Sequence, residues 1–314
     1  MSRLQLPNID DFLLNLQSNN YSDETIYNYE RDLEVFRNFL DDINTPFDNA
    51  EKRTILNYKA YLTSNDRKTA KNDAPKKKLA SFSINRMLSA LRAYLNYLID
   101  MDYDTPISPQ MVKLTKTEKK YPRVSEMDEV IKLIESPTKF EKNKRIAIRN
   151  RTILEVLFAT GMRISELINL KINQIDKNGR IFIMGKGKKE RFVYLTPRAE
   201  KHIENYMQVR GDTDSPYLFI PYRGLAMHKK DKKLSPNYLE YKVKQYRELL
   251  QLNIPISVHG IRRAFATYLA EQGASPAAIQ ILLGHESLDT TTRYVRASHK
   301  IAEETQKKFH PLKD

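Results

Sequence analysis

The chain has 314 residues, of which 53 are Lys or Arg and 39 are Asp or Glu, so its formal net charge at pH 7 is +14. A positive excess of this size favours a polyanionic partner such as nucleic acid, although a basic surface without a specific partner is equally compatible with charge alone. Cysteine is absent, which excludes disulfides, thiol nucleophiles and cysteine-ligated zinc.

The hydrophobic pattern predicts a cytoplasmic protein that does not associate with membranes. Apolar runs are too short to span a bilayer, and the opening residues MSRLQLPNIDDFLLNL are too acidic for a signal peptide. Hydrophobic residues make up 40% of the chain, which is enough to bury a core. The length predicts two domains rather than one.

The first part of the chain predicts helices. Ser22 is a predicted N-cap for a helix over SDETIYNYERDLEVFRNFL, and a second helix is predicted over SFSINRMLSALRAYLNYLID. Apolar residues recur at helical spacing in both segments: Ile26, Tyr29, Leu33, Phe36 and Leu40 in the first, and Ile84, Leu88, Leu91, Leu95 and Leu98 in the second. Arg86 and Arg92 lie beside the second stripe, either as DNA phosphate contacts or as part of a solvated face.

A change of composition at KLTKTEKKYPR predicts a linker. We therefore predict a helical domain over residues 1–112, a linker over 113–123 and a second domain over 124–314. Ser125 is the predicted N-cap of the next helix, SEMDEVIKLIES.

The second domain is predicted to be mainly α-helical with a small antiparallel β-sheet. RNRTILEVLFATGMRISELINLKI is an apolar helical segment interrupted at Gly161, and GRIFIMGKGKKERFVYL contains two β-rich runs around a turn of Gly and Lys. The helical segment LSPNYLEYKVKQYRELL carries three basic residues that, if the polyanionic partner is double-stranded DNA, are candidates for contact in the major groove: Lys242, Lys244 and Arg247.

Residues 259–295, HGIRRAFATYLAEQGASPAAIQILLGHESLDTTTRYV, contain the densest group of candidate functional residues. Ser257 is a predicted N-cap that places His259 and Arg262 on one helix face. Ser275 and Pro276 predict the start of the next helix and Gly284 its end, with His285 just beyond it. A third short helix after Asp289 would carry Tyr294. Side chains at such helix ends can project into one shared cleft.

These residue types suit phosphoryl transfer without a metal ion. Arg262 and Arg163, the latter in TGMRISEL, have permanently charged guanidinium groups whose N–H donors suit phosphate oxygens. A lysine or histidine can protonate a leaving oxygen, and a tyrosine oxygen can attack phosphorus. A metal-dependent nuclease would need clustered carboxylates, and the second domain contains no dense acidic motif. We therefore predict neither a metal nor a cofactor.

The motifs ATGMRISEL, GKGKKER, HGIRRAFAT and LGHESLDTTTRY, in this order, resemble the tyrosine recombinase family. The compact length and FHP near the end resemble its Xer branch, and the resemblance covers essentially the whole chain. It implies a SAM-like core-binding domain followed by a catalytic domain of the DNA breaking-rejoining enzyme fold.

The resemblance also implies a role for each matching residue. Arg163 and Arg262 would hold the scissile phosphate, Lys186 would protonate the departing 5′ oxygen, and Tyr294 would form a 3′-phosphotyrosyl bond. His259 would assist acid-base transfer or phosphate binding, and His285 would orient the phosphate. Glu166 would position neighbouring groups rather than react.

Each assignment has a simpler competitor. His259 and His285 could be structural histidines, and Lys186 could be an ordinary hairpin lysine. Tyr268 is the rival nucleophile, but its helical spacing with Phe265 and Leu269 predicts a core position.

The implied reaction is site-specific recombination, in which DNA strands are cut and rejoined by a tetramer on paired double-stranded sites. A second recombinase or a regulatory protein is a further candidate partner. Chromosome dimer resolution and integration or excision of a mobile element would use the same site. A type IB-like topoisomerase and a non-catalytic DNA-binding regulator are the alternatives.

Overall fold

The computed structural model describes residues 4–64, 78–117, 126–184, 190–211, 214–228, 232–252 and 256–284. The chain divides into two compact units, residues 1–121 and 122–314. In the described residues these units are built from helices and one small antiparallel sheet, so the predicted fold class is confirmed. Within the same ranges, no helix is both long and apolar enough to cross a membrane.

The first unit contains helices α1 to α4: Ile9–Ser18, Asp23–Asp42, Lys52–Thr63 and Ser81–Asp100. The predicted cap of α2 is confirmed, because the Ser22 hydroxyl accepts a hydrogen bond from the Thr25 amide. The predicted stripe of α4 is also confirmed, because its residues are buried in the core of this unit together with Leu33, Phe36 and Leu40 of α2.

The second unit contains α5 (Met127–Phe140), α6 (Lys144–Thr160), α7 (Ile164–Ile168), β1 (Arg180–Met184), β2 (Glu190–Tyr194), α8 (Pro197–Arg210), α9 (Pro236–Leu249), α10 (Val258–Glu271) and α11 (Pro276–Leu283). Helix α6 is at its centre and packs against α5, α8 and α10. Most of its residues are buried, which explains why its sequence is apolar on more than one face.

The predicted hairpin is an antiparallel pair in which Phe182 of β1 lies opposite Phe192 of β2. Its buried and exposed residues alternate, as expected for a sheet with one face against a core. One of the buried positions of β2 is occupied by an arginine, Arg191. The turn that carries Lys186 lies outside the described residues.

The ends of the last two described helices follow the sequence prediction. The Ser257 hydroxyl accepts from the Gly260 amide at the start of α10, and the Ser275 hydroxyl accepts from the Ala278 amide at the start of α11. Gly284 ends α11 with a left-handed φ of 61°, a conformation that glycine adopts without steric cost.

Two local predictions are wrong. The N-cap position of α5 is Glu126 rather than Ser125, and Ser125 itself lies outside the described residues. Tyr268 is 41% exposed rather than packed in the core. Phe265 and Leu269 pack against the small cluster between α10 and α11, whereas Tyr268 lines a surface cavity together with Ala264. Residues one position apart on a helix point about 100° apart, so the burial of Leu269 does not bury Tyr268.

Candidate active site

The carboxyl end of α11, defined here as the carbonyl groups of residues 282–284, is where three arginine side chains meet. Each arginine donates to a different carbonyl: Arg191 Nε to Leu282 at 2.9 Å, Arg262 Nη2 to Leu283 at 2.6 Å and Arg163 Nη2 to Gly284 at 2.9 Å. The last carbonyls of a helix lack partners within the helix and lie at the negative end of its dipole. These carbonyls therefore attract cationic donors from distant parts of the chain.

Arg262 reaches this point from the first turn and a half of α10. Its side chain also donates through Nη1 to the Gly161 carbonyl at 2.7 Å. Arg262 is 4% exposed, and these hydrogen bonds fix the direction of its guanidinium group. Because the Ser257 cap sets where α10 starts, it also sets which residues of the helix face α11.

Arg163 reaches the same helix end from the start of α7. Gly161 ends α6 with a φ of 61°, and the chain turns there so that Arg163 becomes the N-cap residue of α7. The Arg163 side chain is 34% exposed, far more than that of Arg262. Arg163 and Arg262 were predicted to lie close together, and they donate to consecutive carbonyls at the end of α11.

Glu166 binds two of the three arginines. Its carboxylate accepts from Arg163 Nη1 at 2.9 Å and from the Arg163 backbone amide at 2.6 Å. Arg191 donates to both of its oxygens, through Nη1 at 2.9 Å and Nη2 at 2.7 Å. Burial alone would raise the pKa of Glu166, but the hydrogen bonds and charges of Arg191 and Arg163 outweigh it, and the net pKa is lowered. Glu166 is therefore a carboxylate at neutral pH.

His259 lies in the first turn of α10 and is exposed. Partial desolvation lowers the pKa of its imidazole, and the positive charges of three arginines lower it further: Arg262, Arg263 and Arg163. The ring is therefore neutral at pH 7, so it can accept a proton or a hydrogen bond.

Three of the predicted site residues, Lys186, His285 and Tyr294, lie outside the described residues. Their places in the sequence relative to described elements are still known: Lys186 follows β1, and His285 follows Gly284. Among the described residues, no group of three His, Asp or Glu side chains could hold a metal ion.

The five predicted DNA-binding residues differ in their ion pairs within the protein and in their exposure to solvent. On α4, Arg86 forms an ion pair with the buried carboxylate of Asp32, and Arg92 is partly exposed. On α9, Lys242 binds Glu141 at 2.7 Å and its side chain is 18% exposed.

Of the other two basic residues of α9, one is exposed and the other is partly exposed. The Lys244 side chain is 65% exposed, with only a long 3.8 Å pair to Glu248, and Arg247 is partly exposed. Lys244 is therefore the most available of the three basic residues of α9.

Arg191 was not among the residues predicted for the site. The sequence does contain a signal for it, because Arg191 occupies an inward position in the alternating pattern of β2. A charged residue at such a position requires a buried partner, and that partner is Glu166.

The chain matches known protein families over most of its length. Residues 123–300 match the model of the phage integrase family, and residues 9–101 match the SAM-like N-terminal domain of phage integrases. A tyrosine recombinase XerC from Staphylococcus aureus is 33% identical over 313 residues, which cover 96% of each chain. A tyrosine recombinase XerC from Leptospira interrogans is 32% identical over 298 residues, 93% of this chain and 89% of the relative.

Solved structures share the fold. A XerH site-specific recombinase bound to a palindromic difH substrate has a TM-score of 0.71 at 21% identity, covering 97% of this chain and 89% of that one. A lambda integrase tetramer bound to a Holliday junction has a TM-score of 0.69 at 17% identity, covering 92% and 77%.

A helical SAM-like domain followed by a mainly helical catalytic domain with a small sheet defines a tyrosine recombinase. The chain belongs to the phage integrase family, and its curated relatives of Xer type match it over almost their whole length.

Proposed function

We propose that this tyrosine recombinase exchanges strands between specific double-stranded DNA sites through a 3′-phosphotyrosyl intermediate on Tyr294. One observation carries the proposal: Arg163 and Arg262, which lie far apart in the sequence, donate to consecutive carbonyls at the carboxyl end of α11. Two guanidinium groups held this close can bind the non-bridging oxygens of one phosphate and stabilise the charge that develops as it reacts.

The proposed cleavage step breaks one P–O bond and forms another. The Tyr294 oxygen attacks phosphorus, its proton passes to a neutral base, and the bond to the 5′ oxygen breaks as Lys186 protonates that oxygen. His259 suits the role of base or hydrogen-bond acceptor, because its lowered pKa keeps the imidazole neutral. His285 is proposed to donate a hydrogen bond to the phosphate.

The rejoining step reverses these transfers. A 5′ hydroxyl of a partner strand attacks the phosphotyrosyl bond and releases Tyr294, so the number of phosphoester bonds does not change. The reaction as proposed needs no nucleotide cofactor. Glu166 is proposed to hold Arg163 in place and not to exchange protons, and its lowered pKa supports that role.

The proposed assembly is a tetramer on a pair of DNA sites. Support comes from the solved lambda integrase tetramer on a Holliday junction and from XerH bound to difH, which share this fold. We propose residues 1–112 as the core-binding domain, 113–123 as the linker and 124–314 as the catalytic domain. A second recombinase or a regulatory protein is a further proposed partner. The proposed DNA substrate is also the reason for proposing a cytoplasmic location.

The experiment uses a pool of nicked DNA duplexes of random sequence. A nick beside the cleavage point lets the short cleaved product diffuse away, so the covalent complex accumulates and can be recovered on a denaturing gel and sequenced. We expect wild-type protein to form this adduct and Tyr294→Phe to form none while still binding DNA. A metal chelator should not change the yield.

Tyr268→Phe is the matched control, since Tyr268 is the exposed rival tyrosine. It should form the adduct at the wild-type level. Adduct formation by Tyr294→Phe, or its loss in Tyr268→Phe alone, would show that the nucleophile is assigned to the wrong residue.

Mapping of the rejoined products then separates strand exchange from relaxation. A recombinase joins the cleaved strand to the partner duplex, whereas a topoisomerase restores the original strand. Products joined only to the original strand would contradict the proposed recombination.

A further inference from the structure

Arg191 is the third arginine at the carboxyl end of α11, and it comes from the hairpin. It lies on β2 at a position that faces the core, and its side chain is buried. A buried guanidinium group is costly unless its donors and its charge are satisfied. The partners of Arg191 therefore define what it does.

All three donor groups of Arg191 have partners. Nη1 and Nη2 donate to the two carboxylate oxygens of Glu166 at 2.9 and 2.7 Å, and Nε donates to the Leu282 carbonyl at 2.9 Å. Charge-assisted hydrogen bonds of this kind are stronger than neutral ones, and the bidentate geometry adds both energy and a fixed direction. Arg191 thus joins the hairpin, the start of α7 and the end of α11.

The backbone at Gly284 lies close to the side chain of Arg191. A Cβ at Gly284 would lie 3.0 Å from both Cδ and Nη1 of Arg191, and the φ of 61° disfavours any side chain there. Gly284 is also the residue whose carbonyl accepts from Arg163. The contact between Arg191 and α11 therefore lies next to a contact of Arg163.

Glu166 is shared between Arg191 and Arg163. Its charge is balanced mainly by the two-point contact from Arg191, and Arg163 contributes one side-chain hydrogen bond while its Nη2 remains on Gly284. Without Arg191, the buried carboxylate would have Arg163 as its one cationic partner among the described residues. Coulomb attraction in a poorly solvated site would then draw Arg163 towards Glu166.

We propose that Arg191 is a positioning residue for DNA cleavage: by balancing the charge of Glu166 and holding the end of α11, it keeps the Arg163 guanidinium directed at the scissile phosphate. The inference rests on the proposed function, because it assigns that role to Arg163. It predicts that loss of Arg191 slows cleavage without a matching loss of DNA binding.

The electrostatics of Glu166 provide a readout that a purely structural role would not change. Among the described residues, the charged groups that face Glu166 are Arg191 from β2 and Arg163 at the start of α7, and α11 carries no titratable residue. Hydrogen bonds from Arg191 help to lower the pKa of Glu166, so the removal of Arg191 raises the pKa of Glu166. Lower pH then neutralises Glu166 and releases Arg163.

The experiment measures the rate of adduct formation at saturating concentrations of a nicked duplex recovered from the random pool. Arg191→Gln should reduce this rate about 100-fold, since a displacement of ~1 Å at a reacting group can cost that much. Its affinity for the duplex should stay near the wild-type value. The ratio of its rate to the wild-type rate should rise as the pH is lowered.

The double variant Arg191→Gln with Glu166→Gln tests the charge directly. Because neighbouring groups in one network are coupled, removal of the unbalanced carboxylate should make the double variant react about tenfold faster than Arg191→Gln. Arg210→Gln is the control for loss of a buried arginine, since Arg210 donates to the carbonyls of Ser215, Tyr217 and Leu218 and not to the site. Its rate per folded molecule should match the wild type at every pH.

Several outcomes would overturn the inference: a wild-type rate for Arg191→Gln, a double variant no faster than the single one, or a rate ratio that does not change with pH. If Arg191→Gln does not fold, Arg191→Lys decides, because an ammonium group keeps the charge but not the fork. We expect about a tenfold loss for it, and a wild-type rate would overturn the proposal. If wild-type protein forms no adduct at all, the proposed function fails instead.

Discussion

Arg163 and Arg262 bind the same helix end but differ in their access to solvent. Arg262 is 4% exposed, whereas the side chain of Arg163 is 34% exposed. The two carbonyl partners of Arg262 fix the direction of its buried side chain, whereas the more exposed side chain of Arg163 can change direction. We therefore expect the direction of the Arg163 guanidinium group to depend more on neighbouring side chains. Arg191 is the neighbour proposed to control that direction.

His259 provides a prediction at the scale of single residues. The charge of Arg263 is one of the causes that lower the pKa of His259, so Arg263→Gln should raise that pKa. The measurement is a pH titration of the imidazole ring signals by NMR. Arg180→Gln is the control, because Arg180 is paired with Asp176 on an exposed surface and should leave the His259 midpoint unchanged.

An unchanged midpoint in Arg263→Gln would contradict the electrostatic account of His259. The lowered pKa also has a consequence for stability. The unfolded chain binds the proton at a higher pH than the folded chain does, so this residue makes unfolding easier as the pH falls below the unfolded-state value of ~6.5.

At the scale of elements, the break between α6 and α7 positions Arg163. Gly161 has a φ of 61°, and a Cβ there would lie 2.4 Å from the Phe265 ring of α10. The same residue provides the carbonyl that binds Arg262. Gly161 thus allows both the turn between α6 and α7 and the close approach of α10. Its carbonyl group also accepts a hydrogen bond from Arg262.

Gly161→Ala should therefore destabilise the protein more than an alanine at another left-handed glycine. Gly273 has a φ of 83°, and a Cβ added there would meet no atom within 4 Å, so Gly273→Ala should cost only the backbone strain of about 1–2 kcal/mol. Gly161→Ala should cost about 1–3 kcal/mol more, because it also overpacks the core. Chemical denaturation of both variants measures the difference, and equal losses would contradict the packing argument.

At the scale of the whole molecule, the net charge of +14 predicts DNA binding that weakens steeply with salt. The charge is not equally available everywhere, because many cations are paired within the protein. Helix α9 shows both cases: Lys242 is bound to Glu141, whereas Lys244 is largely exposed.

We expect Lys244→Gln to weaken DNA binding and to reduce the salt slope by about 1, as for the loss of one phosphate contact. Lys242→Gln should leave the slope unchanged, because its ammonium group is held by a carboxylate. Binding of the random duplex pool over a range of salt concentrations measures both slopes. A salt slope that falls more in Lys242→Gln than in Lys244→Gln would show that Lys242, and not Lys244, makes the phosphate contact.

Local features of this protein could be predicted from its sequence because their causes lie within a few residues. The caps at Ser22, Ser257 and Ser275, the end of α11 at Gly284 and the hairpin all depend on short-range hydrogen bonds and on side-chain periodicity. The order of the motifs indicated the family for a similar reason, since each motif is a short local pattern.

Only the tertiary structure decided which side chains are partners. Arg191 meets Glu166, Arg86 meets Asp32 and Lys242 meets Glu141, although each pair is separated in the sequence. Burial makes these pairings necessary, because an ionic group removed from water must find an opposite charge or hydrogen-bond partners wherever the fold provides them. For this reason Arg163 and Arg262 could be predicted from their motifs, whereas the partners of Arg191, which are Glu166 and the end of α11, were decided by the fold.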